Sequence, residues 1–277
     1  MENNVAIAWG TVIENVIGSD FDDIIEGNTA DNELKGGGGN DTLDGGAGSD
    51  RLYGGTHNDN ISGGAGNDVI YGGHGADTLD GGAGTDAVQY LASGTGVTVN
   101  LATGLGSAGQ ARGDVLSNIE NINGSRASDH LIGDDGNNKF VGYGGWDTLE
   151  GGAGDDRLEG WRGKDVLDGG DGDDYLFGGA DEDTLTGGAG NDTLVGGTEG
   201  DLFIFEAGSG EDVITDFEAD LDRLDLSATA TDFTDLASLQ AATSEVDGGI
   251  LIDLGGGDTL LLQGLTLSDL ATTGIMY

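Results

Sequence analysis

Aspartates recur along this chain on a nine-residue beat. Asp41, Asp50, Asp59, Asp68, Asp77 and Asp86 follow one another at that interval, and Asp23 falls on the same beat. A second run holds Asp129, Asp147, Asp156, Asp165, Asp174, Asp183, Asp192 and Asp201, while Asn32 and Asn138 occupy beats without an Asp. Nearly every one follows a cluster of glycines. Short carboxylates in glycine-rich turns are what hard divalent cations such as calcium take as ligands, together with main-chain carbonyls. Composition carries the same bias, with 39 Asp against 13 Glu, which general surface acidity does not require. The net charge of −43, with 9 Lys and Arg in all, excludes nucleic acid as a partner, because a phosphate backbone must be met by cations. There is no cysteine, so no disulfide or thiol chemistry. A chain this acidic and glycine-rich, 58 Gly in 277 residues, folds poorly unaided, and a bound metal would offset its charge.

The segments that carry these carboxylates are nonapeptides. Eight run consecutively from Gly18 to Gln89 and nine from Gly124 to Ile204, the clearest being GGAGSDRLY from Gly45, GGAGNDVIY from Gly63, GGAGDDRLE from Gly151 and GGAGNDTLV from Gly187. All four read GGxGxDxUx, with U a large aliphatic residue, a periodicity that a flexible linker has no reason to keep. This nonapeptide resembles the signature of the RTX family of calcium-binding proteins. The resemblance implies an all-β fold, a parallel β-roll in which each nonapeptide gives a calcium-binding turn and a very short strand, two nonapeptides completing one coil. On that picture, glycines at positions 1, 2 and 4 take positive φ and turn their carbonyls inward, and the position-6 carboxylate joins those oxygens. Position 8 then points into the roll: Leu43, Leu52, Ile61, Ile70, Leu79 and Val88, then Leu131, Phe140, Leu149, Leu158, Leu167, Leu176, Leu185, Leu194 and Phe203.

With two nonapeptides per coil, turns 18 residues apart share a cation. The pairs are Asp23 with Asp41, Asp41 with Asp59, Asp50 with Asp68, Asp59 with Asp77 and Asp68 with Asp86. The second block adds Asp129 with Asp147, Asp147 with Asp165, Asp156 with Asp174, Asp165 with Asp183, Asp174 with Asp192, and Asp183 with Asp201. That gives 11 calcium ions, or 13 with the Asn32 and Asn138 turns counted. Main-chain oxygens are expected from the turns at Gly36 and Gly39; Gly45, Ala47 and Gly48; Gly63, Ala65 and Gly66; Gly72 and Gly75; Gly81, Ala83 and Gly84. In the second block they come from Gly151, Ala153 and Gly154; Gly169 and Gly172; Gly187, Ala189 and Gly190. Some turns depart from the pattern, with His57, Asp181 and Glu199 at position 4 and Tyr143 and Trp161 at position 2.

A longer duplication divides the chain. Ile13 to Ser19 (IENVIGS) recurs as Ile119 to Ser125 (IENINGS), each copy opening an array. The expected plan is a lead-in at 1–17, a first β-roll block at 18–89, a non-repeat joint with a strand or hairpin at 90–123, a second block at 124–204, and a β-rich cap at 205–277. In the joint, Val97, Val99 and Leu101 alternate as a half-buried strand that packs beside or over an end of a roll. Asp114 lies in the joint outside any nonapeptide and is expected to matter little to metal binding. In the last part, Thr231 or Asp232 is expected to cap a short helix with Phe233, Leu236 and Leu239 on one face, followed by strands at Ile250–Ile252, Leu260–Leu262 and Ile275–Tyr277. The runs Asp212–Phe217 and Asp222–Ser227 resemble the end of the RTX region in serralysin-type metalloproteases and other type I secretion substrates. The stretch from Val5 to Asn15 resembles the segment that joins the serralysin protease domain to its roll. These resemblances imply an uncleaved C-terminal secretion signal read by type I secretion machinery, and either a larger serralysin-like exoprotein of which this is the calcium-binding part or a free-standing RTX protein.

No catalytic constellation is expected, so the chain is read as not an enzyme. His57, His74 and His130 are scattered, none paired at the i+4 spacing of a zinc helix, and the GxSxG and GxGxxG matches fall by chance in glycine-rich repeats. There is no run of about 20 apolar residues for a transmembrane helix and no basic-then-apolar signal peptide. The leading expectation is a secreted, extracellular or cell-surface module that folds on calcium. The alternative is an accessory module for a cell-surface or matrix polysaccharide, as the resembling R modules of mannuronan epimerases imply. Trp146 and Trp161, on turns rather than at position 8, and a concentration of basic residues after Arg112, are what that alternative draws on.

Overall fold

The computed structural model describes residues 3–6, 14–272 and 274–276. Much of the lead-in expected at 1–17, including Trp9, and the final Tyr277 lie outside the described residues. The chain forms two compact units, 1–132 and 133–277, each a parallel β-solenoid.

In the first unit, strands Asp23–Asn28, Thr42–Ala47, Asn60–Ala65 and Thr78–Ala83 stack in parallel as one sheet, and Asn15–Ile17, Glu33–Gly38, Arg51–Thr56, Val69–His74 and Ala87–Gln89 form the other. Register is set by the repeat itself. Leu43 lies beside Ile61 and Ile61 beside Leu79, each 18 residues on, while Leu34, Leu52 and Ile70 form the facing row. All of these position-8 side chains are buried, and Ile25 and Leu34 extend the ladder at its start. A one-residue slip would turn the whole row to solvent, so the apolar period holds the register.

The joint is built into the sheets of this unit rather than laid over an end. Thr98–Asn100 and Leu105–Ala108 form an antiparallel pair; the first strand runs parallel to His130–Ile132, and the second borders Val115–Ser117, which runs parallel to Thr78–Asp80. Val97 and Val99 are buried while Thr98 and Asn100 stay partly exposed, the half-buried strand that the alternation indicates, although Leu101 is only partly covered. The first nonapeptide of the second array belongs to this unit, since Val97 N–H donates to Asp129 Oδ1.

The second unit repeats the plan. Thr148–Ala153, Val166–Asp171, Thr184–Ala189, Leu202–Glu206, Arg223–Ala228 and Gly274–Met276 make one sheet; Lys139–Val141, Arg157–Arg162, Tyr175–Ala180, Thr193–Thr198, Glu211–Ile214 and Asp258–Gln263 make the other. Antiparallel strands Gly249–Gly255 and Thr243–Val246 finish the second sheet, the last one exposed and polar enough to blunt its edge. The short helix Leu236–Ala241 is capped by Asp235, not by Thr231 or Asp232. Asp235 Oδ1 accepts from Ser238 N–H, and the Ser238 hydroxyl returns to the cap, a reciprocal capping box that neither earlier residue completes.

Candidate metal centre

Each turn is shaped by two different demands on glycine. At Gly46 and Gly48, positions 2 and 4, φ is 95° and 120°, values that favour a residue without Cβ. Position 1 does not take positive φ, contrary to the sequence expectation. It must be glycine for room: a Cβ on Gly45 would overlap Asp50 Oδ2 and the Gly63 carbonyl oxygen, and one on Gly169 would overlap Asp174 Oδ2 and the Gly187 carbonyl oxygen. A carboxylate of one coil and a carbonyl of the next thus converge on the same glycine.

The position-6 side chains form columns. Asp68 Oδ1 accepts from Asp50 N–H at 2.7 Å, Asp59 from Asp41 at 2.8 Å, Asp77 from Asp59 at 2.9 Å and Asp86 from Asp68 at 2.7 Å. The second unit does the same from Asp147 to Asp165, Asp165 to Asp183 and Asp183 to Asp201, and from Asp156 to Asp174 and Asp174 to Asp192. Asp41 receives Asp23 N–H likewise. The structure therefore brings together ten of the eleven expected pairs; for the eleventh, Asp129 lies in the first unit and Asp147 in the second.

One oxygen of each column carboxylate is left over. Oδ2 of Asp41, Asp50, Asp59, Asp68, Asp77, Asp86, Asp147, Asp156, Asp165, Asp174, Asp183, Asp192 and Asp201 is buried without a hydrogen-bond partner, as is Oδ1 of Asp23. Burial pushes Asp59 up to about 7, against the hydrogen bond from Asp41 N–H and helped by the charges of Asp77 and Asp41. Asp183 goes up to about 8, again through burial first, then repulsion from Asp165 and Asp201. A buried, repelling row of anions with bare oxygens is what a hard cation would relieve, so the residues present fit calcium. Among the described residues no three His, Cys, Asp or Glu side chains meet at one point, so a cation held here would draw on main-chain carbonyls as well as the paired carboxylates.

Turns that break the glycine pattern keep the same backbone. His57, Asp181 and Glu199 sit at φ 79°, 79° and 75°, and Tyr143 and Trp161 at 71° and 79°. Each accepts left-handed strain of about 1–2 kcal/mol to do so. Asp59, Asp183 and Asp201 in those repeats still present the bare oxygen.

The expected sites at Asn32, Asn138 and Asp129 differ from the rest. Asn32 Oδ1 accepts from Asn28 N–H, Asn138 Oδ1 from Asp134 N–H, and Asp129 receives Ser125 N–H, Ser125 Oγ and Val97 N–H. Conversely, the columns recruit residues outside the nonapeptides. Asp114 accepts from Asp77 N–H at 2.9 Å and from the Tyr90 hydroxyl at 2.9 Å, so it stands in the column and is not a bystander of the joint. Asp212 accepts from Asp192 N–H and keeps a bare Oδ2, Asp222 accepts from Asp201 N–H and Glu218 N–H, and Glu120 accepts from Asp86 N–H. The sequence signal for the three aspartates is the triplet Asp-x-aliphatic, which survives where the glycines are lost: Asp114-Val115-Leu116 has the form of Asp165-Val166-Leu167. A second ladder runs at position 5, where Asp31, Asn40, Asn58, Asp155 and Asp173 accept the N–H of the residue 18 further on. It opposes the position-6 ladder in direction.

Comparison with known proteins agrees with this arrangement. The family model for the RTX calcium-binding nonapeptide repeat matches residues 17–52, 53–88, 117–145, 141–176 and 168–203, more than half of the chain. No curated protein matches it. Among solved structures, the extracellular lipase LipA from Serratia marcescens is similar at 16% identity and a TM-score of 0.36, over 95% of this chain and 39% of the lipase; the chain thus spans about two fifths of that protein's length.

Proposed function

The chain belongs to the RTX calcium-binding nonapeptide repeat family, and from that premise we propose that it is the calcium-folded module of an exported protein, without catalysis of its own. The observation that carries this reading is the row of buried carboxylate oxygens without partners. Where calcium is scarce, as inside a cell, these carboxylates repel and the chain stays unfolded, which suits passage through a narrow secretion channel. The bare oxygens of Asp41, Asp59, Asp165, Asp183 and their column neighbours would hold calcium, which would supply the positive charge that offsets their repulsion. The chain's own part is to hold position 6 of each coil against the N–H of the coil before it and to keep position 1 clear. The resemblance of the Asp212–Phe217 and Asp222–Ser227 runs to type I secretion substrates, serralysins among them, supports that route and an extracellular or cell-surface destination. The test is folding itself: circular dichroism in chelator should show a disordered chain, and calcium in the range of about 0.1–1 mM, typical of extracellular modules, should restore the β spectrum. A native-like spectrum in chelator sinks the reading.

A second reading, an accessory module that holds a polysaccharide, draws on one observation: strand Arg157–Arg162 carries an aromatic and cationic cluster on its outer face.

A further inference from the structure

We infer that the outer face of strands Lys139–Val141, Arg157–Arg162 and Tyr175–Ala180 is a binding site for a carboxylate-bearing sugar polymer, with Trp161 and Arg157 as its two contact groups. The inference rests on the second reading above and names its ligand class and residues.

Trp161 stands at position 2, which most repeats give to glycine, with φ 79° and 48% of its surface exposed. A bulky residue held in left-handed backbone with half of its surface left to water costs stability that its partial burial offsets only in part, the mark of a position kept for contact. Its ring is fixed from two sides. The indole N–H donates to Glu159 at 3.1 Å, and the ring meets Phe177 edge to face at 5.7 Å. Register places Trp161 beside Gly179, which leaves the neighbouring strand low enough for the indole to stand clear.

Glu159 organises the cation as well. It points outward in phase, between inward Leu158 and Gly160, yet is 8% exposed because its neighbours cover it. Arg157 Nε donates to it at 2.6 Å and Lys139 Nζ lies 3.7 Å away; these hydrogen bonds and charges hold its carboxyl below the usual range even against its burial. The Arg157 guanidinium lies over the Tyr175 ring at 4.1 Å. With Nε taken and the guanidinium stacked on Tyr175, the two Nη groups of this half-exposed side chain are left to offer a carboxylate the remaining donors.

The charge of this face selects an anion. In a chain of net charge −43, the outward positions of these strands hold Lys139, Arg157 and Arg162, with the covered Glu159 as their one acid. The other sheet of the same unit presents Glu150, Asp168 and Asp171 outward. Size argues against a protein partner. A stable interface needs roughly 20–30 residues a side, and this platform is seven side chains, Lys139, Arg157, Glu159, Trp161, Arg162, Tyr175 and Phe177. A sugar ring stacked on Trp161 with its carboxylate on Arg157 fits that width, and strands about 4.8 Å apart repeat on the scale of successive sugars.

The test is calorimetry on the calcium-loaded chain with a short oligoglucuronate, the neutral oligoglucose of equal length, and phosphatidylglycerol vesicles. Binding of the oligoglucuronate is expected, weakened roughly tenfold or more by Trp161→Gly and by Arg157→Gln, as loss of a stacked or forked contact predicts. Trp161→Gly restores the common residue of that position, so its calcium-dependent β spectrum should be kept, which separates lost contact from lost fold. Binding of the neutral sugar alone overturns the inference and leaves the polysaccharide reading standing; binding of neither sugar overturns both. Vesicle binding without oligoglucuronate binding, or variants that bind like the wild type, also overturn the inference.

Discussion

The nonapeptide turns and the joint at 90–123 solve one structural problem in two ways. In both, a carboxylate of one coil must satisfy the N–H of the coil before it, as Asp183 does for Asp165 and Asp114 does for Asp77. In the turns the second oxygen of that carboxylate is bare. In the joint the Tyr90 hydroxyl takes it, with the ring of Tyr90 fully buried beside it. Asp222 closes its column the same way, with the N–H of Glu218. A solenoid coil is therefore completed either by a cation from solution or by a donor encoded in the chain, and only the first makes folding depend on the surroundings.

The largest effect should come from removing the cation altogether. Each site held at ten times its dissociation constant contributes about 1.4 kcal/mol, so losing ten of them removes about 14 kcal/mol, comparable to the whole 5–15 kcal/mol margin of a typical domain. Hydrogen exchange after chelation should show Asp165, Asp174 and Asp183 amides unprotected. Persistent protection of these amides in chelator would show that the bare oxygens are tolerated and that the contrast with the joint has no energetic content.

Next in size, and sharper, is the pair Asp165→Ala and Asp114→Ala. Asp165 is shared with Asp147 and Asp183, so its loss should raise the calcium midpoint of folding about tenfold while excess calcium recovers much of the stability. Asp114→Ala strands the buried Asp77 N–H and Tyr90 hydroxyl, a loss of about 2–4 kcal/mol that added calcium does not recover. Thermal melts across a calcium series check both. Identical calcium dependence for the two variants would mean that the joint is metal-closed as well.

How far the sequence reaches follows from the same distinction. The nine-residue beat places the inward ladder from Leu43 to Val88 and the paired aspartates, because register in a parallel stack is dictated by the repeat length. It does not reach Asp114, Asp212 or Asp222, whose coils have 37-, 20- and 21-residue spacings to their partners and whose glycines are gone. Nor does it reveal why position 1 is glycine, since that depends on a carbonyl 18 residues away and not on local φ. The sequence pattern puts the helix cap at Thr231 or Asp232, three to four residues early, because the hydroxyl of Ser238 that completes the box with Asp235 gives no periodic signal.

Tyr90→Phe should have a moderate effect and turns the joint into a turn-like state. It removes one hydroxyl and leaves Asp114 Oδ2 buried and bare, as in the nonapeptides. The expected loss is about 1–2 kcal/mol at saturating calcium, read from the melting temperature. An unchanged melting temperature would show that water already serves Asp114 and that the tyrosine is not its closing donor.

The smallest effect, and one of opposite sign, is expected of Asp181→Gly. Asp181 sits at position 4 with φ 79°, where a residue with a Cβ is strained by about 1–2 kcal/mol. Its charge also pushes the column carboxylates Asp165 and Asp183 upward, adding to the burial that dominates both. Glycine relieves the strain without disturbing the Asp181 N–H bond to Glu199, which belongs to the backbone. The greater freedom of glycine in the unfolded chain offsets part of the gain, leaving about 0.5–1 kcal/mol. At saturating calcium the melting temperature should rise by a few degrees at most. At limiting calcium, removal of a like charge changes the energy of the metal-free column, so the calcium midpoint should move as well if strain is not the whole effect. A rise in melting temperature with an unmoved midpoint assigns the cost of Asp181 to its backbone alone. A fall in both would mean that the carboxylate at position 4 stabilises its turn, and that the departures from glycine in these repeats add ligands where the turns were read only as strained.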